Sequence, residues 1–96
     1  MELSDYIRQA AEKAGSISAL SRALGINQPE VSKAANGRGR LPLDKVIQIA
    51  DMIEADRIAV ISANELVTEK KPEKRDFWSH LLASPSSASY IRHMMN

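Results

Sequence analysis

The segment that most constrains the fold of this chain is residues 15–37, GSISALSRALGINQPEVSKAANG, in which one glycine separates two short helical patterns. Before the glycine, apolar residues recur at helical spacing through Leu24, and after Gly25-Ile26 the pattern is polar except for Pro29, Val31 and two alanines. Gly25 can adopt the positive φ of an abrupt turn, and the small Ser21 lets two helices cross closely. The segment predicts two short helices, the second anchored by Val31 with one face free.

The other apolar patterns are helical as well. The first predicted helix has its apolar residues on one stripe, which consists of Leu3, Tyr6, Ile7, Ala10, Ala11 and Ala14. Gly15 is expected to end that helix in a left-handed conformation, and Ser16 to cap the second helix. Asn27 and Glu30 form an Asn-x-x-Glu pattern that predicts a reciprocal cap on the third helix, over about residues 28–35.

Three more helices are expected after the loop Gly37-Arg38-Gly39-Arg40. Pro42 can start the fourth helix, and Asp56 can cap a fifth that runs through Val67. The apolar surface of residues 58–67 is wider than one core contact requires. An amphipathic helix over about 72–83 is followed by a Ser-rich linker and a tail, residues 84–96.

Composition agrees with a small helical protein. Apolar residues make up 44% of the 96 and aromatic residues only 4%, which favours a core of Leu, Ile, Val and Ala. We predict an all-α fold: a compact five-helix domain over residues 1–69, then an additional C-terminal amphipathic helix and short tail over residues 70–96. The second part is expected to serve dimerisation or partner binding.

Several classes of protein are disfavoured. The chain has no cysteine, no run long enough to cross a membrane and no secretory signal, so the expected location is the cytoplasm. His80 and His93 lack the spacing of metal ligands, and Gly37-x-Gly39 lacks the Lys-Ser/Thr of a nucleotide-binding loop. We therefore expect neither an enzyme nor a bound metal or cofactor.

Charge is unevenly distributed along a chain whose net charge is only +1. Residues 15–45 are net positive, residues 46–69 net negative and residues 70–96 net positive. The two short helices and the loop after them therefore lie in a basic block, which is suited to a polyanion.

Residues 19–32, ALSRALGINQPEVS, together with the glycine-rich basic loop and the apolar helix that follow, resemble the helix-turn-helix of the phage Cro and repressor superfamily. The resemblance covers about residues 3–56. Two positions depart from the family pattern, since Ser21 replaces the usual alanine and Ile17 replaces a glutamine that often touches a phosphate. Ser16 or Ser18 is a candidate to supply that lost contact.

The resemblance implies a protein that binds double-stranded DNA through its third helix. The residues it places toward bases are Asn27, Gln28, Pro29, Ser32 and Lys33. Those expected to reach phosphates are Ser16, Ser18, Arg22, Asn36, Arg38, Arg40 and Lys45. Gln28 is the first candidate for reading adenine, and Lys33 for guanine. The alternative is that both are solvated surface residues, and that Asn27 and Glu30 only cap the helix.

The family usually acts as a symmetric dimer on pseudo-palindromic half-sites about 34 Å apart. The dimerisation candidates are Ile58, Ile61, Phe77, Trp78, Leu81 and Leu82, unless the last helix folds back on its own chain. The expected function is a transcriptional repressor of phage or prophage type, with an antirepressor as a possible protein partner. The alternative is an antitoxin that autoregulates its operon and binds a toxin with its C-terminal segment. A third class is an interaction module without DNA affinity.

Overall fold

In the computed structural model, which describes residues 1–83, these residues form six α-helices and no strand. The helices are α1 (Leu3–Ala14), α2 (Ile17–Leu24), α3 (Gln28–Ala35), α4 (Leu43–Met52), α5 (Arg57–Thr68) and α6 (Pro72–Ala83). The all-α prediction is therefore confirmed for the described part of the chain. The predicted linker and tail, residues 84–96, lie outside it.

The sequence signals at the ends of α1, α2 and α5 act as predicted, with one difference. The Ser16 hydroxyl accepts a hydrogen bond from the Ala19 N–H at 2.9 Å, and the Asp56 carboxylate accepts one from the Ala59 N–H at 2.9 Å. Gly25 ends α2 in the left-handed region, with φ 71° and ψ 31°. Gly15 ends α1 with a positive φ of 115°, but its ψ of −32° lies outside the left-handed helical region.

The reciprocal cap predicted for α3 is wrong. Asn27 occupies the N-cap position, but its side chain makes no capping hydrogen bond. An N-cap side chain accepts from the second or third N–H of a helix. The second residue of α3 is Pro29, which has no N–H, and the third N–H, that of Glu30, already bonds the Asn27 carbonyl at 3.1 Å. The Asn27 and Glu30 side chains are both left exposed.

The core forms around α1, which packs against α2, α3, α4 and α5. Its largest fully buried apolar side chains are Leu3, Ile7, Leu20, Val31, Val46, Ile49 and Val60. Ser21, the small residue predicted at the helix crossing, is buried and donates its hydroxyl to the Ile17 carbonyl at 2.8 Å. α2 and α3 pack on each other and on α1, so the buried side of α3 is fixed by two neighbours.

The broad apolar surface of α5 is partly covered by α6, which packs against it. The Arg75 guanidinium donates to two carbonyls at the end of α5, those of Leu66 at 2.9 Å and Glu69 at 2.7 Å. Leu81 is buried and Leu82 packs on the core. α6 is therefore folded back on its own chain, which is the alternative that the sequence left open for it.

Candidate nucleic-acid interface

The eight-residue helix α3 has two sharply different sides. Val31, Ala34 and Ala35 are buried, whereas Gln28, Pro29, Glu30 and Lys33 are exposed, as is Asn27 just before the helix. The buried side locks the helix in place because Val31 is fully enclosed by the core. The exposed side is polar and solvent-facing, and it is carried by a rigid support.

The structure brings the five residues predicted to contact bases onto this exposed surface. Asn27, Gln28, Pro29 and Lys33 are exposed, and Ser32 is half-buried. Within residues 1–83, the side chains of Asn27, Gln28 and Lys33 make no hydrogen bond or ion pair, so their polar groups remain available to a ligand. Of the two roles that the sequence left open for Asn27, capping is excluded and base contact stays a prediction.

Residues 37–41, which we call the basic loop, leave α3 in a tightly bonded turn. The Arg38 N–H donates to the Lys33 carbonyl at 3.0 Å, and the Asn36 amide donates to the Ser32 carbonyl at 2.9 Å. A Cβ added to Gly39 would lie 3.4 Å from Lys33 Cδ, so the aliphatic part of Lys33 lies over the loop. The loop and the exposed side of α3 therefore form one continuous surface.

The two arginines of the basic loop differ in their surroundings. Arg40 Nη1 lies 2.9 Å from the Glu65 carboxylate of α5, and the two side chains are 52% and 27% exposed. Arg38 is exposed and makes no side-chain hydrogen bond or ion pair within the described residues. The Arg38 side chain can therefore bind an anion directly. Arg40 can bind one only after its ion pair with Glu65 is broken.

The remaining residues predicted to contact phosphates lie on α2 and α4. Ser16 caps α2, and the Ser18 hydroxyl accepts from Arg22 at 2.9 Å, so all three polar groups lie along one end of that helix. Lys45 at the start of α4 is only 22% exposed, and its ammonium lies 3.5 Å from Asp44. Lys45 is thus less accessible than the pattern of basic residues suggests.

An open groove of about 670 Å³ adjoins α3, between the basic loop, the start of α4 and the end of α5. Its charged lining residues are Lys33, Arg38, Arg40, Glu30 and Glu65. Lys33, Arg38 and Arg40 lie on α3 and the basic loop, together with Glu30 of α3, whereas Glu65 comes from α5. The side of the groove formed by α3 and the basic loop therefore carries three cations against one carboxylate.

Asn64 is the residue of this region that the sequence interpretation missed. It lies in α5, is only 1% exposed, and hydrogen-bonds both the N–H and the carbonyl of Leu41. The available signal was an asparagine within the broad apolar surface of residues 58–67, since a buried amide needs partners. Sequence alone did not show that its partner would be the basic loop.

The dimerisation candidates separate into inward and outward groups. Ile61 and Leu82 pack on the core and Leu81 is buried, so these three side chains mainly contact other residues of the same chain. Ile58 is half-buried. Phe77 is 52% exposed and lies edge-on to Trp78, with ring centroids 5.0 Å apart. The aromatic pair is the part of the set that remains most accessible.

Three side chains, those of Tyr6, Asp51 and Arg57, have shifted pKa values, and none of them is among the predicted contact residues. Burial raises the pKa of the Tyr6 hydroxyl, with smaller contributions from the Asp56 and Asp5 carboxylates. A hydrogen bond from Arg57 lowers the pKa of Asp51 at the α4–α5 corner.

Among residues 1–83, no group of three or more His, Cys, Asp or Glu side chains is placed to hold a metal ion. No helix in that range is long and apolar enough to span a bilayer.

Comparisons of the chain with protein-family models, with curated proteins and with solved structures find no match.

Proposed function

We propose that this protein is a sequence-specific DNA-binding repressor that resembles the phage Cro and repressor superfamily and inserts α3 into the major groove. The observation that carries the proposal is the exposed side of α3. It presents polar side chains that are unpaired within the described residues, and its opposite side is fixed by Val31 in the core. A major groove admits one α-helix, and side chains on the outer face of that helix reach the base edges.

The exposed residues supply suitable chemistry for reading bases. The Gln28 amide can donate to and accept from adenine N6 and N7, and Lys33 can donate to guanine O6 and N7. Asn27 joins this set because its amide is not used as a cap. Pro29 offers apolar surface to a thymine methyl group, and the half-buried Ser32 has the smallest reach.

Phosphate contacts position the helix. Arg38 and the N-terminal end of α2, where Ser16 and Ser18 lie, can flank the groove on either side of α3. Arg40, Asn36, Arg22 and Lys45 are secondary contacts because their donor groups already bond or pair with their own chain, whereas the Ser16 and Ser18 hydroxyls act as acceptors and keep their O–H donors. These contacts give affinity without sequence preference.

One helix of this length covers few base pairs, so we propose that the repressor binds as a homodimer on two half-sites about 34 Å apart. The exposed Phe77 and its neighbour Trp78 are the proposed contact between protomers. The fold-back of α6 favours the repressor over the antitoxin, because Leu81 is already buried within the chain and cannot anchor a toxin without unpacking.

Selection of bound duplexes from a random pool tests the proposal. We expect enrichment of a pseudo-palindromic sequence whose binding weakens steeply with salt. The matched variants are Gln28→Ala, which should relax one base position, and Gln9→Ala on the exposed side of α1, which should leave the selected sequence unchanged. A pool that remains random after selection, or a binding affinity that does not change with salt concentration, would contradict a role in DNA recognition. A tail that becomes ordered only with a second protein would favour the antitoxin.

A further inference from the structure

We propose that Asn64 is a positioning residue for DNA binding, which holds the basic loop so that the backbone carrying Arg38 and Arg40 needs no ordering when their side chains meet phosphates. The inference rests on the proposed function, but it concerns a buried residue of α5 that makes no contact with DNA. Asn64 acts through the backbone of Leu41.

The Asn64 side chain bonds both polar backbone groups of a single loop residue. Its Oδ1 accepts from the Leu41 N–H at 2.8 Å, and its Nδ2 donates to the Leu41 carbonyl at 2.9 Å. Two antiparallel hydrogen bonds to one residue fix the position of that residue and also the orientation of its peptide groups. Because Asn64 is 1% exposed, water cannot readily replace either bond.

The other end of the basic loop is bonded to α3. The Arg38 N–H donates to the Lys33 carbonyl at 3.0 Å, so Arg38 continues the hydrogen bonding of the helix end. Between this bond and the pair at Leu41, only Gly39 and Arg40 lack a backbone anchor of this kind. The span that carries both arginines is therefore held at its two ends by different helices.

Burial of the Leu41 side chain cannot do the same work. Leu41 is 3% exposed and packs in the core, but an apolar contact has no directional requirement and does not by itself set the orientation of the peptide groups. The loop also contains Gly39, whose backbone is the least restricted of any residue type. Without Asn64 the arginines would have to be ordered on binding, and fixing one backbone residue corresponds to about tenfold in an equilibrium constant.

Ser62 provides a matched control on the same helix. It is as buried as Asn64, and its hydroxyl donates to the Ile58 carbonyl of α5 itself at 2.7 Å, so it has no bond to the loop. Ser62→Ala and Asn64→Ala both remove a buried polar group from α5. Only the second removes an anchor of the basic loop.

The experiment measures binding of a fluorescent mixed-sequence duplex to each variant, at low salt, in the wild-type background and in an Arg38→Ala, Arg40→Ala background. We expect Asn64→Ala to weaken binding about tenfold in the first background. In the second background it should have no further effect, because the groups it positions are gone. Ser62→Ala should have little effect in either. Equal weakening by Asn64→Ala in both backgrounds, or none in the first, would overturn the inference.

Backbone relaxation of the wild-type protein without DNA gives a second test that needs no variant to fold. The amides of Gly39 and Arg40 should be as ordered as those of α4, and nanosecond mobility there would overturn the inference even if DNA binding is confirmed. A wild-type chain that binds no duplex at low salt would overturn the proposed function and this inference together. If the wild type binds the duplex normally and the Asn64→Ala variant binds it equally well, this inference alone would be overturned.

Discussion

The helices α3 and α5 use their polar residues in opposite ways. On α3, Gln28 and Lys33 are exposed and bond nothing within the described residues. On α5, Ser62, Asn64 and Glu65 each bond the helix itself or the basic loop. α5 packs against α1, α4 and α6, whereas the outward side of α3 is left open.

The contrast shows how one small fold can provide both a packed support and an uncovered polar surface. Polar groups that face other parts of the same chain are satisfied internally and stabilise one arrangement. Polar groups on an uncovered side keep their hydrogen-bonding capacity for a ligand. What distinguishes the two helices is therefore what packs on them, since each contains both polar and apolar residues.

The test of this contrast with the largest expected effect introduces one aspartate into each helix. Val60→Asp would bury an unpaired charge in α5 and should lower the free energy of unfolding by about 4 kcal/mol or more. Gln28→Asp adds a carboxylate to the exposed first turn of α3, where the helix dipole favours it, and should change stability by about 0.5 kcal/mol at most. Urea denaturation of the two variants measures the difference. Similar losses in both would mean that α3 is covered in solution.

A second test concerns the function of the exposed side. Gln28→Ala should weaken binding to the selected duplex by about 1 to 3 kcal/mol and relax preference at one base position. Stability should be nearly unchanged because the side chain is exposed. The measurement is a repeated selection together with a titration, and Gln9→Ala is its control. An unaltered base preference would return Gln28 to the class of solvated surface residues.

A third test compares two exposed apolar side chains at different places. Phe77→Ala on α6 should weaken dimerisation about tenfold, or about 1.4 kcal/mol, since exposed aromatic residues are common anchors of interfaces. Leu43→Ala at the start of α4 removes a side chain of similar exposure, 56% against 52%, and should leave the dimer unchanged. Sedimentation equilibrium distinguishes them. If neither variant shifts the equilibrium, the aromatic pair does not contribute to a dimer.

The smallest expected effect comes from the point where α5 meets the basic loop. Glu65→Gln should free Arg40 and steepen the salt dependence of duplex binding by about one unit. Its effect on stability should be no more than about 1 kcal/mol, because the ion pair is partly exposed to solvent. Glu69→Gln makes the same charge change at the end of α5, without an Arg40 contact in the structure. Equal salt slopes for the two variants would mean that Glu65 does not compete with phosphate.

Much of the helical framework could be predicted because its signals are local. Ser16, Gly25 and Asp56 act on their own helix ends through bonds to residues within five positions. The failure at Asn27 is also local, since Pro29 has no N–H and the Glu30 N–H already bonds the Asn27 carbonyl. The exposed side of α3 followed from Val31 alone, which fixes where the opposite side points.

The contacts made by α5 could not be predicted in this way. Arg40 to Glu65 and Leu41 to Asn64 join residues 25 and 23 positions apart. Which loop a helix meets depends on how all the intervening elements pack, and a charge pattern does not contain that information. The sequence therefore predicted the same phosphate contact for both loop arginines. The structure shows that they differ, because Arg40 pairs with Glu65 and Arg38 has no side-chain partner within the described residues.

The Arg75 side chain has a practical consequence for where the protein can be shortened. The change in charge near residue 70 suggests an endpoint for a minimal fragment that contains α3, yet Arg75 reaches back to the final carbonyls of α5 and Leu81 fills part of the interior. Cleavage between α5 and α6 would leave those carbonyls without their donor and uncover apolar surface beneath. A truncated version intended for isotope labelling or crystallisation should therefore retain α6.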